Sequence, residues 1–313
     1  MATRVRVSSL AKINLDLRVL GKRPDGYHEL RTIFQTVSLA DTIQIEYQRG
    51  RTRIDIKSNL NIPDNLLDLA AHNVLQATGK TGRVGFVLTK RIPLGAGLGG
   101  GSSNAAAVLL ALPAMLRKPL PLQKLMELAA DLGSDVPFFL LGGTAVGLGR
   151  GTELYPLPDR LRGPLLLVTP GIHSSTADAY RALQMKETNE VPSAMMGDFQ
   201  SVAWDLGAVS RWRNDFERVV FHQHPQLRSI KGKLLKLGAL AALMSGSGSA
   251  LFGMFPSREI RDRAVVSLRK ELSPQQVLAA ATVSRSRYRA LWRRRLAACV
   301  DNLEWPPQDR YAE

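Results

Sequence analysis

Three clusters of residues have the types and spacing to do chemistry. The first is Pro93-Leu94-Gly95-Ala96-Gly97-Leu98-Gly99-Gly100-Gly101-Ser102-Ser103-Asn104-Ala105, with five glycines in seven residues. Each glycine raises the entropy cost of ordering a loop, so packing alone does not account for the run. Such a loop offers bare N–H groups to a ligand at the positive end of a following helix. That is anion chemistry, and phosphate is the usual anion. The second is Lys12, a lone charge in the apolar stretch Leu10-Ala11-Lys12-Ile13-Asn14-Leu15, costly there unless paired. The third is Asp135, within Gly133-Ser134-Asp135-Val136-Pro137. Taken singly, Lys12 reads equally well as an exposed strand lysine, and Asp135 as a turn or cap aspartate.

Several loops could contain the glycine string. A P-loop ends in Gly-Lys-Ser/Thr, but the only such triplet, Gly79-Lys80-Thr81, lies upstream of the glycines. Gly95, Gly97 and Gly100 satisfy G-x-G-x-x-G, yet no acidic residue falls between Ala105 and Leu125 to hold a ribose. A plain glycine-rich turn is the bland alternative. The pattern Pro-x-Gly-x-Gly-Leu-Gly-x-x-Ser-Ser-x-Ala resembles the ATP loop of the small-molecule kinases grouped with galactokinase, homoserine kinase and mevalonate kinase.

Further segments narrow that resemblance. Ala11-Lys12-Ile13-Asn14-Leu15 is followed by Arg23-Pro24-Asp25-Gly26-Tyr27-His28-Glu29-Leu30 and Phe34-Gln35. Later come Gly133-Ser134-Asp135-Val136-Pro137-Phe138-Phe139 and Met244-Ser245-Gly246-Ser247-Gly248-Ser249-Ala250. In this order, over about residues 5–283, the chain is similar to the branch of the group that phosphorylates 4-diphosphocytidyl-2-C-methyl-erythritol in non-mevalonate isoprenoid synthesis. Homoserine and mevalonate kinases are the nearest rivals.

The resemblance implies a two-domain kinase of α+β class with its active site in the cleft between the domains, using ATP and Mg²⁺. It implies Lys12 and Asp135 as the catalytic dyad, with Asp135 the base and Lys12 stabilising developing charge. The nucleotide would be held by residues Pro93 to Ser103, with Asn65 and Lys90 at the adenine end. Asn14 would meet the erythritol hydroxyls, and Tyr27, His28, Phe34, Thr176 and Tyr180 the cytidine end. Ser102 or Ser103 could offer a hydroxyl to the cation; no metal ligand set is otherwise given. Gly246 and Gly248 would let their turn pack against the phosphate loop.

The elements that must position these residues follow from periodicity. Residues 4–20 and 36–57 read as strands and hairpins, broken at 21–26 and 48–52, and Val84–Lys90 as another strand. Helices are expected over Asn65–Ala77, Ala105–Leu116 and Leu122–Leu132. Pro137 is expected to stop helix propagation, with a strand and turn over Phe138–Val146. Beyond a change near Arg150-Gly151-Thr152 come a strand at Gly163–Gly171 and helices from about Ser175, Asp205 and Gln226. A hairpin is expected around Ser245–Ser249. Strands and helices are mixed rather than alternating, which favours α+β over a parallel sheet. The expected division is 1–150 for ATP, 151–283 for the acceptor, and a basic extension over 284–313.

Composition bounds the rest. With 313 residues, 45% hydrophobic, there is room for two domains. No apolar run nears 18 residues, the N-terminus reads as a strand rather than a signal peptide, and one cysteine excludes an internal disulfide framework. A cytoplasmic enzyme acting on a small molecule, monomeric or weakly dimeric, without a membrane partner, is the expectation. The net charge of +15 includes Arg285, Arg287, Arg289, Arg293, Arg294 and Arg295, interleaved with Tyr288 and Trp292. A basic aromatic helix can bind nucleic acid or an anionic surface. A solvated face with Leu291 and Leu296 against the body is the favoured reading, which makes nucleic acid an improbable partner.

Overall fold

The computed structural model describes residues 3–172, 174–183 and 193–299. Two long strands begin the chain, β1 (Thr3–Lys22) and β2 (His28–Arg49), paired antiparallel along almost their whole length. The turn between them uses Gly26 at φ +82°, with the Tyr27 N–H donating to the Asp25 carboxylate at 3.1 Å. This Asp-Gly turn sets Tyr27 and His28 at one end of the sheet. There follow β3 (Arg53–Ser58), α1 (Leu66–Thr78), β4 (Gly82–Thr89), α2 (Gly100–Met115), α3 (Leu122–Leu132), α4 (Val136–Leu141), β5 (Thr144–Gly149) and β6 (Glu153–Pro156). The six-stranded sheet runs β3-β4-β2-β5-β6 with β1 on β2, and β3 and β4 are parallel.

The central helix α2 is buried from Ser103 to Met115 because its sequence, Ala-Ala-Ala-Val-Leu-Leu-Ala-Leu, is apolar on every face. It lies in one core with α1, α3, α4 and the inner faces of β1, β2 and β4.

The second unit comprises β7 (Pro164–Val168), α5 (Thr176–Leu183), α6 (Ser193–Trp204), α7 (Glu217–Gln223), α8 (Pro225–Lys236), β8 (Ala241–Met244), β9 (Leu251–Met254), α9 (Arg258–Leu268) and β10 (Val277–Ala281). Its antiparallel sheet has the order β10-β7-β9-β8. The chain then returns as α10 (Arg285–Leu296), whose Tyr288, Trp292 and Leu296 enter the first unit's core.

Four expectations need correction. Residues 136–141 form a helix, not a strand: Pro137 sits in the first turn, where its missing N–H costs nothing, and so starts a helix instead of stopping one. A six-residue apolar run carries too little periodicity to reveal this. The helix expected from Ala105 begins at Gly100, so the last glycines form its first turn. No helix starts at Asp205; α6 ends at Trp204, a single 3-10 turn, Val209–Arg211, comes next, and α7 does not begin until Glu217. Residues 285–296 pack against the body, as the favoured reading of this segment has it, with Leu296 buried and Leu291 against the same core. Their aromatic residues are buried anchors, and the Tyr288 hydroxyl donates to the Phe139 carbonyl. A Cβ on Gly142 would lie 2.3 Å from the Tyr288 ring, so the Gly142-Gly143 pair makes the seat for α10. Residues 300–313 lie outside the described residues. The first sheet also runs past 150, through β6 to Pro156.

Candidate active site

The polar face of β1 forms one wall of a cleft of about 900 Å³, lined from both units. Lys12 donates to Asn14 Oδ1 at 2.8 Å and stands 3.2 Å from Asp135 Oδ2. Its side chain is 4% exposed, against 33% for Asp135, so the pair lies at the cleft wall with the carboxylate toward solvent. Asn14 donates to Thr32 Oγ1 at 2.7 Å, and Thr32 donates to the Asp16 carbonyl at 2.8 Å. The strand period of two puts Lys12 and Asn14 on one face; the register shifts between Asn14 and Asp16, and the buried Asp16 pairs with Arg18 instead of lining the cleft. Asp135 immediately precedes α4, the helix that Pro137 starts.

The glycine loop lies between β1 and the turn after β8. Lys12 N–H donates to the Leu98 carbonyl at 3.0 Å, Ser245 Oγ to the Gly97 carbonyl at 2.9 Å, and Ala250 N–H to the Ala96 carbonyl at 3.1 Å. Gly97 requires its residue type: φ is +75°, and a Cβ there would fall 2.1 Å from the Ser245 carbonyl oxygen. At Gly99 a Cβ would meet the Phe139 ring at 2.9 Å and Lys12 Cγ at 3.1 Å, so this glycine makes room for the lysine. Gly246 approaches the loop as expected; a Cβ on it would lie 3.2 Å from the Gly97 carbonyl oxygen. Gly248 mainly faces the Met244 sulfur, at 2.9 Å from such a Cβ. In the first turn of α2, Ser102 lines the cleft, and Ser103 Oγ is buried without a hydrogen-bond partner.

At the other end the cleft is aromatic. His28 and Tyr180 stack at 4.3 Å and 17°, joining β2 to α5 across the two units. Tyr180 in turn meets Phe216 edge-on at 4.8 Å. The Arg150 guanidinium lies 3.4 Å above the Tyr27 ring, and Tyr27 is 49% exposed. Thr176 Oγ1 and Ser247 Oγ are 2.8 Å apart. Burial, and secondarily the charge of Lys22, hold the His28 imidazole below its ordinary value. Burial and then the Asp135 charge push the Tyr180 phenol well up. Both rings are therefore neutral at pH 7, which suits them to stacking.

The structure thus brings together Lys12, Asn14, Asp135, Gly97, Ser102, Tyr27, His28, Thr176 and Tyr180 on one cleft. Three expected residues are placed differently. Phe34 reaches the cleft but is 2% exposed, packed on Phe138 at 4.9 Å with the Lys12 ammonium 5.4 Å from its ring centre. Its ring packs into the core, whereas His28 and Tyr180 form the stacked pair of the cleft wall. The Lys90 ammonium is paired with Asp41, both side chains essentially buried, and Asp41 also accepts from the N–H groups of Arg91 and Ile92 at 2.7 and 2.8 Å. A Cβ on Gly100 would be 2.9 Å from Lys90 Nζ. Lys90 is therefore a brace beneath the glycine loop. Asn65 caps α1, its Oδ1 accepting from Leu67 N–H at 3.2 Å.

Asn214 was not legible as a site residue. Its side chain is buried and donates to the carbonyls of Met244 and Gly246 at 2.7 and 2.8 Å, while its backbone bridges Leu17 on β1. It ties the turn that touches the glycine loop to the strand that carries Lys12. A lone asparagine in a loop gives no sequence signal for that role.

Two family models match the chain: the GHMP kinases N terminal domain over residues 65–143 and the GHMP kinases C terminal domain over residues 202–273. The 4-diphosphocytidyl-2-C-methyl-D-erythritol kinase of Solibacter usitatus is 55% identical over 308 residues, covering 97% of this chain and 96% of that one. Its counterpart from Syntrophomonas wolfei is 40% identical over 265 residues, covering 83% and 92%. A crystal structure of 4-(cytidine 5'-diphospho)-2C-methyl-D-erythritol kinase superposes with a TM-score of 0.72 at 36% identity, covering 88% of this chain and 98% of that one. The homoserine kinase of Cytophaga hutchinsonii shares the fold, with a TM-score of 0.68 at 18% identity. Glycine loop, Lys–Asp pair and aromatic wall thus stand on the two-domain α+β frame of GHMP kinases, and the chain belongs to the 4-diphosphocytidyl-2-C-methyl-D-erythritol kinase family.

Proposed function

We propose that this cleft transfers the γ-phosphoryl group of ATP to the 2-hydroxyl of 4-diphosphocytidyl-2-C-methyl-D-erythritol. The observation that carries the reading is the Lys12–Asp135 pair, 3.2 Å apart, on a cleft lined by the glycine loop and by the aromatic wall. Asp135 accepts the hydroxyl proton, the freed oxygen forms a bond to the γ-phosphorus, and the bond to the β–γ bridging oxygen breaks to release ADP. The Lys12 ammonium, kept in place by Asn14, stabilises the negative charge that develops between alkoxide and phosphate. The acceptor is a hindered tertiary alcohol, so positioning matters as much as basicity. Asn14 is suited to the erythritol hydroxyls.

The loop over Pro93, Leu94, Gly95, Ala96, Gly97, Leu98, Gly99, Gly100, Gly101, Ser102 and Ser103 supplies backbone N–H groups to the triphosphate. Gly95, Gly97 and Gly99 all take positive φ, which turns successive peptide units and builds an anion-binding concavity. The residues also suit a Mg²⁺ that arrives with the nucleotide. Ser103 Oγ is a buried oxygen without a partner, and Ser102 lines the cleft. Bound there, the ion would neutralise phosphate charge. Among the described residues no group of three or more His, Cys, Asp or Glu forms a cage of its own.

The cytidine end is assigned to Tyr27, His28, Thr176 and Tyr180. The small gap between the His28 and Tyr180 rings leaves no room for a base between them, so cytosine packs on the outer face of this pair, beside Tyr27. Among the described residues no helix is long and apolar enough to cross a membrane. The test is a coupled ADP-release assay on a panel of acceptors: the cytidylated tetraol, the same alcohol without its cytidylyl group, homoserine and mevalonate. Turnover confined to the cytidylated acceptor supports the assignment; preference for any other overturns it.

A further inference from the structure

A second concavity, of about 600 Å³, lies away from the cleft where β10, the N-terminal ends of α9 and α10, and the chain before β7 meet. Four arginines line it, Arg162, Arg258, Arg261 and Arg287, and no acidic side chain does. Arg162, Arg258 and Arg287 are exposed; the Arg287 N–H donates to Ser284 Oγ at 3.2 Å, and the charge of Arg258 acts on the neighbouring Glu259. Arg261 is held in place: its guanidinium donates to the Ala280 carbonyl at 3.0 Å and to Asp262, and its side chain is only 12% exposed. Another wall is the edge strand over Ala279, Ala280 and Ala281, whose Ala279 is exposed while Ala280 is packed in the core.

Like charges gathered around a concavity repel one another and lower the stability of the fold unless an anion joins them. A cleft lined with one sign of charge focuses its field on such a ligand, and arginine is the side chain whose planar fork best matches phosphate oxygens. The four arginines come from three separate segments, the chain before β7, α9 and α10, that only the fold brings together.

We propose that this concavity is a second ligand site, taking a small organic ester of a di- or triphosphate. The phosphates would sit among Arg258, Arg287 and Arg162, and the organic part against the alanine wall. Because the site joins Ser38 on β2 to β10 through the bond from Ala281 N–H to Ser38 Oγ, occupancy would brace the two units against each other. It shares no residue with the catalytic cleft.

The test uses the full chain saturated with a non-hydrolysable ATP analogue, so that the phosphate loop is filled. Inorganic tripolyphosphate is titrated calorimetrically into wild type and into the double variant Arg258→Ser/Arg287→Ser. One binding event is expected in wild type, weakened about 10²-fold in the variant for the loss of two charge-assisted contacts. kcat and both KM values without added tripolyphosphate should be unchanged in the variant. An alkyl diphosphate that binds more tightly than inorganic pyrophosphate supports a role for the alanine wall; equal affinity removes the organic part from the proposal. Absence of binding in wild type, or equal binding in the variant, overturns it. So does a single-stranded oligonucleotide that binds more tightly than tripolyphosphate and is lost in the variant, since that marks a nucleic-acid surface instead.

Discussion

Asp135→Asn is nearly isosteric and keeps an oxygen to face Lys12 across the present 3.2 Å, but it cannot take the proton of the acceptor. General-base catalysis contributes about 10²–10⁴-fold, and kcat should fall by that factor. KM for ATP should hold within about twofold, because the glycine loop is fixed by Lys12 N–H, Ser245 and Ala250, none of which touches the Asp135 side chain. The change also removes the negative charge beside a 4%-exposed ammonium, whose other polar partner is Asn14 Oδ1 at 2.8 Å. Asp135 is one-third exposed, so water screens the pair and the lost stability should be about 1 kcal/mol, a Tm change of about 2 °C. Steady-state kinetics in both substrates, beside a thermal melt, reads all three quantities. Combining Asp135→Asn with Lys12→Met sharpens the test. Groups that act as one unit give a double variant little worse than the poorer single variant. Strict additivity, or an Asp135→Asn enzyme with most of its activity, refutes the dyad.

Three further outcomes are expected. Gly97→Ala places a methyl 2.1 Å from the Ser245 carbonyl at φ +75°, so the turn must move; KM for ATP should rise at least about tenfold, with a cost on the order of 1–3 kcal/mol in stability. Normal nucleotide affinity in that variant would contradict the loop's placement. Tyr180→Ala removes the ring stacked on His28 at 4.3 Å; base stacking is worth about 1–3 kcal/mol, so acceptor KM should rise one to two decades while ATP KM stays put. If ATP binding weakens instead, the two ends of the cleft are assigned in reverse. The His28 imidazole is held below its ordinary value near 6.5, chiefly by burial. The folded state thus favours the neutral ring, and its contribution to stability is complete above about 6.5 and lost as pH falls through the lower folded value. Acceptor KM should be flat at neutral pH and climb only once pH has fallen through the lowered His28 value, on the acid side of an ordinary histidine. His28→Gln should abolish that acid limb, and an unchanged limb would place the titration elsewhere.

What the sequence made legible was whatever local chemistry dictates. The glycine run and the break over residues 21–26 each impose backbone geometry on their own neighbourhood, and these elements, with the helix expected over Asn65–Ala77, lie close to where they are expected. Lys12 and Asn14 share a face because a strand alternates. Residues 136–141 were misread because six apolar residues fit a strand or a helix equally well. Lys90 and Phe34 show a different limit. Each lies next to site residues along the chain or in a motif, yet Asp41 and Phe138 fix their side chains, and neither partner is visible from local pattern. The same holds for α10, where Tyr288 and Trp292 look like a binding surface until Gly142 is seen to open a seat for them. Asn214 and the arginine concavity exist only through long-range contacts.

The central claim is that Lys12 and Asp135 phosphorylate one hydroxyl of a cytidylated tetraol. Phosphorus NMR of a reaction containing ATP, Mg²⁺ and 4-diphosphocytidyl-2-C-methyl-D-erythritol reads it most directly. A new phosphomonoester resonance should grow in step with ADP, with the cytidine diphosphate signals retained and the ester located on the 2-oxygen by its coupling to the quaternary carbon. The Asp135→Asn enzyme should form it at least about 10²-fold more slowly. ATP consumption without that resonance, phosphorylation at another hydroxyl, or equal rates in the two enzymes would contradict the account.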